Sequence, residues 1–252
     1  MLKATDESGS KARIGGGIMF PLVVDELRFE DRGRVLLDGL SLTLDATRRS
    51  VIIGPNGAGK SLLLRMLHGL IKPTGGTIRW AGRTMGPDIQ ARQAMVFQRP
   101  TLLRRSALDN LVFVLDHLPR ADRQARALDL LAAAKLEPVA ATPARLLSGG
   151  EQQRLSIARA LARAPDVLFL DEPSASLDPA STLAIEEMIL AAHADGTKII
   201  LVTHNIGQAR RLAEEVVVVS RGRIAEHTSS VEFFTNPTSQ AGRAYLEGHL
   251  DL

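Results

Sequence analysis

Hydrophobic positions along the chain follow two patterns. The early segments "PLVVDELRF" and "LSLTLDA" alternate apolar with polar residues, as strands covered on one face do. The later segments "DVLFLDE" and "KIILVTH" are apolar without a break, as central parallel strands buried on both faces are. "SVIIG", "GTIRWAG", "AMVFQ" and "EVVVVSRGRIAEH" complete the predicted strands. Between Pro100 and about Arg163 strand signals cease, and Ala/Leu/Arg-rich stretches such as "RADRQARALDLLAAAKL" read as helix. The pattern predicts an α/β chain with a helical subdomain, about residues 100–163, inserted into a sheet domain. Residues 1–20, "MLKATDESGSKARIGGGIMF", mix charges with Ser and Gly and predict a disordered lead-in. The segment from Ser229 reads as a small polar appendix, with 248–252 as a tail.

Composition narrows this picture. A chain of 252 residues with 45% hydrophobic content can fill the core of one α/β domain with a small subdomain. No apolar run approaches the ~18 residues of a membrane span, and the lead-in lacks the apolar segment of a secretory signal. Zero cysteines exclude disulfides and thiolate metal sites and suit a reducing compartment. A net charge of +3, with arginine scattered along the chain, gives no basic face, so no nucleic-acid partner is expected.

The candidate chemistry begins at "SVIIGPNGAGKSLLLRMLHGL". An apolar strand and a helix with apolar positions Leu63, Met66, Leu67 and Leu70 flank Gly54, Pro55, Asn56, Gly57, Ala58, Gly59, Lys60 and Ser61. This turn fits G-x-x-x-x-G-K-[ST], whose backbone N–H groups cradle phosphates at a helix start. Lys60 would neutralise the β- and γ-phosphates, and Ser61 would hold Mg²⁺. Downstream, Asp171 and Glu172 end the apolar strand of "DVLFLDEP", where open α/β sheets bind ligands. Asp171 suits the Mg²⁺ shell, and Glu172 suits acceptance of a proton from an attacking water. In "LLSGGEQQRLSIARALARAP", Ser148, Gly149 and Gly150 precede a second helix. Ser148 reads as a helix cap, as an anion contact, or as both. Since the first loop already surrounds a nucleotide, a second phosphate-facing start makes sense if it serves another subunit's nucleotide.

LSGGEQQR, with the phosphate loop before it and LFLDEP after it, resembles the ATPase subunit of ABC transporters over about residues 21–247. The resemblance implies a P-loop NTPase fold of ABC type. That fold has a mixed, mainly parallel central sheet, an antiparallel edge subdomain and an inserted helical subdomain. It implies hydrolysis of ATP to ADP and phosphate, with Mg²⁺, coupled to solute translocation. Lys60, Gln98 of "VFQRP", Glu172 and His204 of "VTHN" take the catalytic positions, and Ser61, Gln98 and Asp171 the metal positions. The nucleotide lies between residues 54–61 of one chain and Ser148, Gly149, Gly150 and Asp178 of a second copy. The partners implied are a homodimer, integral membrane permease subunits and, indirectly, a solute-binding protein, with the chain on the cytoplasmic face of the cell membrane. "QRPTLLRRSALDN", with Arg104 and Arg105, is the stretch expected to receive a permease helix.

Two departures from the family pattern carry consequences. Ala175-Ser176-Leu177-Asp178 stands where Ser-Ala-Leu-Asp is usual. Asp31 occupies the position of the aromatic that stacks on adenine, leaving Phe29 and Arg32 as substitutes, Arg32 by planar stacking. The span from Lys60 to Ser148 has no room for the long coiled coil of DNA-repair or chromosome ATPases, and one cassette is fewer than ribosome-acting relatives carry. "TPARLLSGGEQQR" and "FFTNPTSQAGRAYLEG" resemble importer ATPases. "VFQRPTLLRRSALDNL" resembles tungstate importers most, with phosphate, molybdate and amino-acid importers as alternatives.

Overall fold

In the computed structural model, which describes residues 19–248, the alternating early segments form an antiparallel pair, β1 (Leu22–Asp31) and β2 (Arg34–Leu44). β3 (Ser50–Ile53), α1 (Lys60–Leu67), β4 (Gly75–Trp80), β5 (Arg83–Thr84), α2 (Pro87–Gln90) and β6 (Gln93–Val96) follow. α3 (Ala107–Val114), α4 (Arg120–Ala133) and α5 (Gly149–Leu161) make up the helical stretch. β7 (Val167–Asp171), α6 (Pro179–Ala194), β8 (Lys198–Val202), α7 (Ile206–Leu212), β9 (Glu215–Ser220), β10 (Arg223–Ser229), α8 (Ser230–Thr235) and α9 (Gln240–Leu246) complete the order.

One sheet is antiparallel, in the order β2-β1-β4-β5. The other runs β10-β9-β3-β8-β7-β6, parallel except for the edge strand β10. The unbroken apolar runs of this second sheet feed two cores at once. Val51, Ile53, Leu168, Leu170, Ile199, Leu201, Val216 and Val218 face α6, α7 and the C-terminal helices. Ile52, Val167, Phe169, Ile200, Val202, Val217 and Val219 face α1 and the antiparallel sheet. Burial on both faces is what removes polar residues from these strands.

The inserted helices carry a third core, including Leu111, Leu115, Leu131 and Leu155. α5 joins it to the sheet, because Leu155 and Ala158 point into the helical core while Ile157 packs under the sheet. Consecutive positions on one helix therefore fix the inserted stretch against the strand ends.

The chain departs from expectation at four places. "EVVVVSRGRIAEH" is two strands, turning at Arg221 and Gly222 with φ of 48° and 74°, the signs that a two-residue hairpin needs. Leu70 lies beyond the end of α1 and is exposed. Residues 1–18 of the expected lead-in lie outside the described residues, but Met19 and Phe20 are buried, with Phe20 edge-on to Trp80 at 5.5 Å. The appendix after Ser229 is α8 and α9, each burying one aromatic, Phe233 and Tyr245, in the sheet's second core. Its polar composition belongs to its outer face. The expected tail over 248–252 is described only at Gly248.

Candidate functional site

The chain leaves β3 at Ile53 and enters α1 through residues 54–59. Gly54 has φ 143°, and a Cβ there would collide with the Val219 carbonyl, so the close passage of β9 requires glycine. α1 starts with no side-chain cap and no acidic residue in its first turn. Its leading N–H groups are left for an anion. Lys60 is 5% exposed, and its ammonium donates to the carbonyls of Gly54 and Pro55, each at 2.8 Å. Burial lowers its pKa, opposed by the carboxylates of Glu172 and Asp171.

Asp171, the last residue of β7, is buried, and that burial raises its pKa. The Ser61 hydroxyl donates to its Oδ1 at 2.7 Å, and the Arg65 guanidinium stands 4.0 Å from its Oδ2. Glu172 follows with φ 49°, in the left-handed region that is costly for a side chain. Its N–H donates to Val202 O at 2.9 Å, which ties the strained residue to β8. Its Oε2 meets His204 Nδ1 at 2.9 Å and accepts from the Gln98 amide at 3.4 Å. Neighbouring strands β6, β7 and β8 thus deliver Gln98, Glu172 and His204 to one carboxyl edge of the sheet.

A second cluster lies at the start of α5. Ser148 caps the helix, accepting from the Glu151 N–H at 3.3 Å. Its own N–H and hydroxyl donate to Glu151 Oε2 at 2.7 and 2.8 Å, and these bonds hold the Glu151 carboxyl below its usual pKa. A Cβ on Gly150 would lie 2.7 Å from Ser181 Cβ, so glycine lets α5 seat on the start of α6. There Asp178 caps α6, accepting from the Ser181 N–H at 2.9 Å and its hydroxyl at 2.6 Å. Those bonds lower the Asp178 pKa. The side-chain hydrogen bonds of Ser148 and Asp178 stay within their own caps, and none reaches residues 54–61. The structure therefore gathers Lys60, Ser61, Gln98, Asp171, Glu172 and His204, and sets Ser148, Gly149, Gly150 and Asp178 apart as a second group.

Residues outside the motif reading brace the loop after β6. Gln153 of α5 is buried and donates to Phe97 O at 3.2 Å, beside Gln98. Arg159 donates to Thr101 O at 2.7 Å. Asn110, also buried, accepts from Leu103 N–H at 2.9 Å and donates to Ser106 O at 2.9 Å. Arg104 and Arg105 remain exposed, Arg105 lying 5.5 Å over the Phe113 ring, itself half exposed. A buried polar residue on a helix face that otherwise packs the core was the available signal for Gln153 and Asn110.

Of the two residues expected to substitute for the adenine-stacking aromatic, Phe29 is half-buried against the first core, whereas Arg32 is exposed at the β1–β2 turn. Ser61 and Asp171 supply one hydroxyl and one carboxylate. Such hard oxygen donors fit Mg²⁺, which completes its shell with water and phosphate. Among the described residues no group of three or more His, Cys, Asp or Glu is arranged to hold a metal by protein ligands alone.

Residues 37–175 match the family model described as ABC transporter. The chain is similar to a methionine import ATP-binding protein of Cereibacter sphaeroides, 36% identical over 248 residues, covering 93% of this chain and 70% of that one. It is similar to the same degree, 36% over 209 residues, to the tungstate uptake system ATP-binding protein of Peptoclostridium acidaminophilum, covering 81% and 97%. A solved ATP-binding cassette, dimeric and in a post-hydrolysis state with ADP and Pi bound, superposes with a TM-score of 0.76 at 28% identity, covering 83% of this chain and 98% of that one.

Proposed function

The chain belongs to the ABC transporter family as an ATP-binding, ATP-hydrolysing subunit, and we propose that it powers solute import through separate permease subunits from two shared nucleotide sites. The observation that carries this reading is the meeting of Gln98, Glu172 and His204 at one strand edge, beside the Lys60 loop and the Ser61–Asp171 pair. Lys60 exchanges the carbonyls of Gly54 and Pro55 for the β- and γ-phosphates. Ser61, Asp171 and Gln98 would hold Mg²⁺, which supplies charge neutralisation when bound. Glu172 accepts the proton of the attacking water, and His204 turns from it toward the γ-phosphate.

The second group faces another copy. Ser148, Gly149, Gly150 and Asp178 complete the partner's nucleotide site, so the cassette works as a C₂ dimer with two ATP between the halves. Loss of the γ-phosphate removes the bridge and the halves part. The braced loop 97–106, with exposed Arg104, Arg105 and Phe113, receives a permease helix and reports the state of Gln98 to it. No helix among the described residues is long and apolar enough to cross a membrane. In this reading the permease holds the cassette at the cytoplasmic face, with a solute-binding protein acting on the far side.

The likeness of "VFQRPTLLRRSALDNL" to tungstate importers supports an oxyanion such as tungstate as the solute. The methionine import relative, at equal identity, supports an amino acid as the second reading. Co-purified permease, reconstituted with its binding protein, separates the two through stimulation of hydrolysis by tungstate or by methionine. The chemistry is tested by Glu172→Gln. Turnover falls by about 10²-fold or more while ATP binding persists in a stable dimer. Near-normal hydrolysis by that variant contradicts the role given to Glu172.

A further inference from the structure

Gln208 is fully buried in α7 and takes no part in the chemistry described above. Its backbone N–H is capped by Asn205 Oδ1 at 2.9 Å, and Asn205 is the residue after His204. Its side-chain amide donates to Ser174 Oγ at 2.8 Å, two residues beyond Glu172. The same amide donates to Glu186 Oε1 at 3.3 Å, on the helix that Asp178 begins. Arg211 clamps Glu186 from one turn further along α7, at 2.7 and 2.8 Å. One side chain therefore ties together the segments that carry His204, Glu172 and Asp178.

The other half of this amide is orphaned, since Gln208 Oε1 is buried with no hydrogen-bond partner. A buried acceptor left unpaired costs folding free energy. An apolar side chain of the same length would fill the space without that cost. The unpaired oxygen offsets part of what the two N–H₂ bonds contribute to stability, so what the glutamine adds over an apolar residue is the reach of that group to Ser174 and Glu186.

We infer that Gln208 is a positioning residue for hydrolysis, holding the His204 segment in register with the Glu172 segment and linking both to the Asp178 helix. The inference rests on the assignment of Glu172 and His204 above. The two side chains start 2.9 Å apart and act on the same attacking water and γ-phosphate, where a misplacement of about 1 Å can cost roughly 10²-fold in rate. The Glu186–Arg211 clamp adds a route from the dimer-facing end of α6. A shift of Asp178 as a second copy docks moves Glu186, and Glu186 moves the anchor of Gln208.

Gln208→Met tests this, because it keeps the length and apolar packing while deleting the donor. The expected result is an unfolding midpoint unchanged or raised, nucleotide affinity unchanged, and kcat lower by about tenfold. Ser174→Ala, on the half-buried loop, removes the acceptor and gives the same loss even if the methionine variant folds poorly. The double variant falls no further than either single one, the non-additivity of residues acting through one bond. A normal kcat in Gln208→Met, a fall in nucleotide affinity equal to that in kcat, or multiplicative losses in the double variant would each overturn the inference. Glu172→Gln is assayed in parallel. If it hydrolyses ATP normally, the site assignment itself fails. If it is inactive while Gln208→Met is normal, only the positioning role fails.

Discussion

α1 starts just after Gly59 and α5 starts at Gly149, yet their first turns are occupied in opposite ways. At α1 no side chain caps the N-terminus and no carboxylate stands in the first turn. At α5 the capping box is complete, with Glu151 bonded to the Ser148 N–H and hydroxyl. The first start is open to an anion as it stands. The second already holds one, supplied by its own chain. Lys60 and the Ser61–Asp171 pair adjoin only the first. On the proposed reading the two starts are unequal halves: α1 would bind a nucleotide within its own chain, and α5 would act when a second chain's phosphate competes with Glu151.

Substitutions that strike the two halves separately show the largest contrast. Lys60→Ala deletes a charge-assisted contact worth about 1.5–3 kcal/mol, so ATP affinity of the isolated chain falls by roughly ten- to a hundredfold. Ser148→Arg leaves that affinity unchanged but abolishes turnover, because the cation blocks closure onto the partner. Calorimetry with a non-hydrolysable nucleotide separates the two, and equal affinity losses would erase the contrast.

A smaller effect is expected at Glu151. Glu151→Gln keeps an acceptor for Ser148 but removes the negative charge that competes with the partner's phosphate. The ATP concentration giving half-maximal turnover should fall about threefold. α5 meanwhile loses about 0.3–1 kcal/mol of stabilisation from its N-terminal charge. A rise in that concentration, measured by steady-state kinetics, would show that the capping box aids closure.

The open half of the comparison was far more legible in the sequence than the closed one. The glycine-lysine turn sits between an apolar run and a helical pattern, and Asp171 and Glu172 end a run with no polar residue, so period and punctuation placed them. Gln98 and His204 are lone polar residues after short strands. Their roles came from family resemblance, and only the sheet order shows that they meet Glu172. Ser148 read as a helix cap, but its Glu151 partner, and the obstacle that carboxylate sets to a ligand, come from the structure. Gln208, Arg65 and Tyr245 could not be read at all, because their partners Ser174, Asp171 and Thr203 lie far along the chain. α8 and α9 were missed for a simpler reason. One aromatic per short helix leaves too little periodicity to outweigh a polar composition.

The smallest effect is expected at the base-binding edge of the open half. With Phe29 half-buried against the core and Arg32 exposed at the turn, Arg32→Ala should raise the KM for ATP about twofold, in line with an exposed stacking contact. The preference for ATP over GTP should narrow by a similar factor. No change in either places the base against another part of the chain.

The claim that the two halves belong to different chains is tested most directly by two single-chain fusions. One joins a Lys60→Ala half to a Ser148→Arg half. The other joins an unaltered half to a half carrying both substitutions. With shared sites, the first fusion keeps one intact pairing of loop and α5 start, and the second keeps none. Hydrolysis by the first fusion and silence of the second is the predicted result. Hydrolysis by the second and silence of the first would mean that each chain completes its own site, and the dimer account would be wrong.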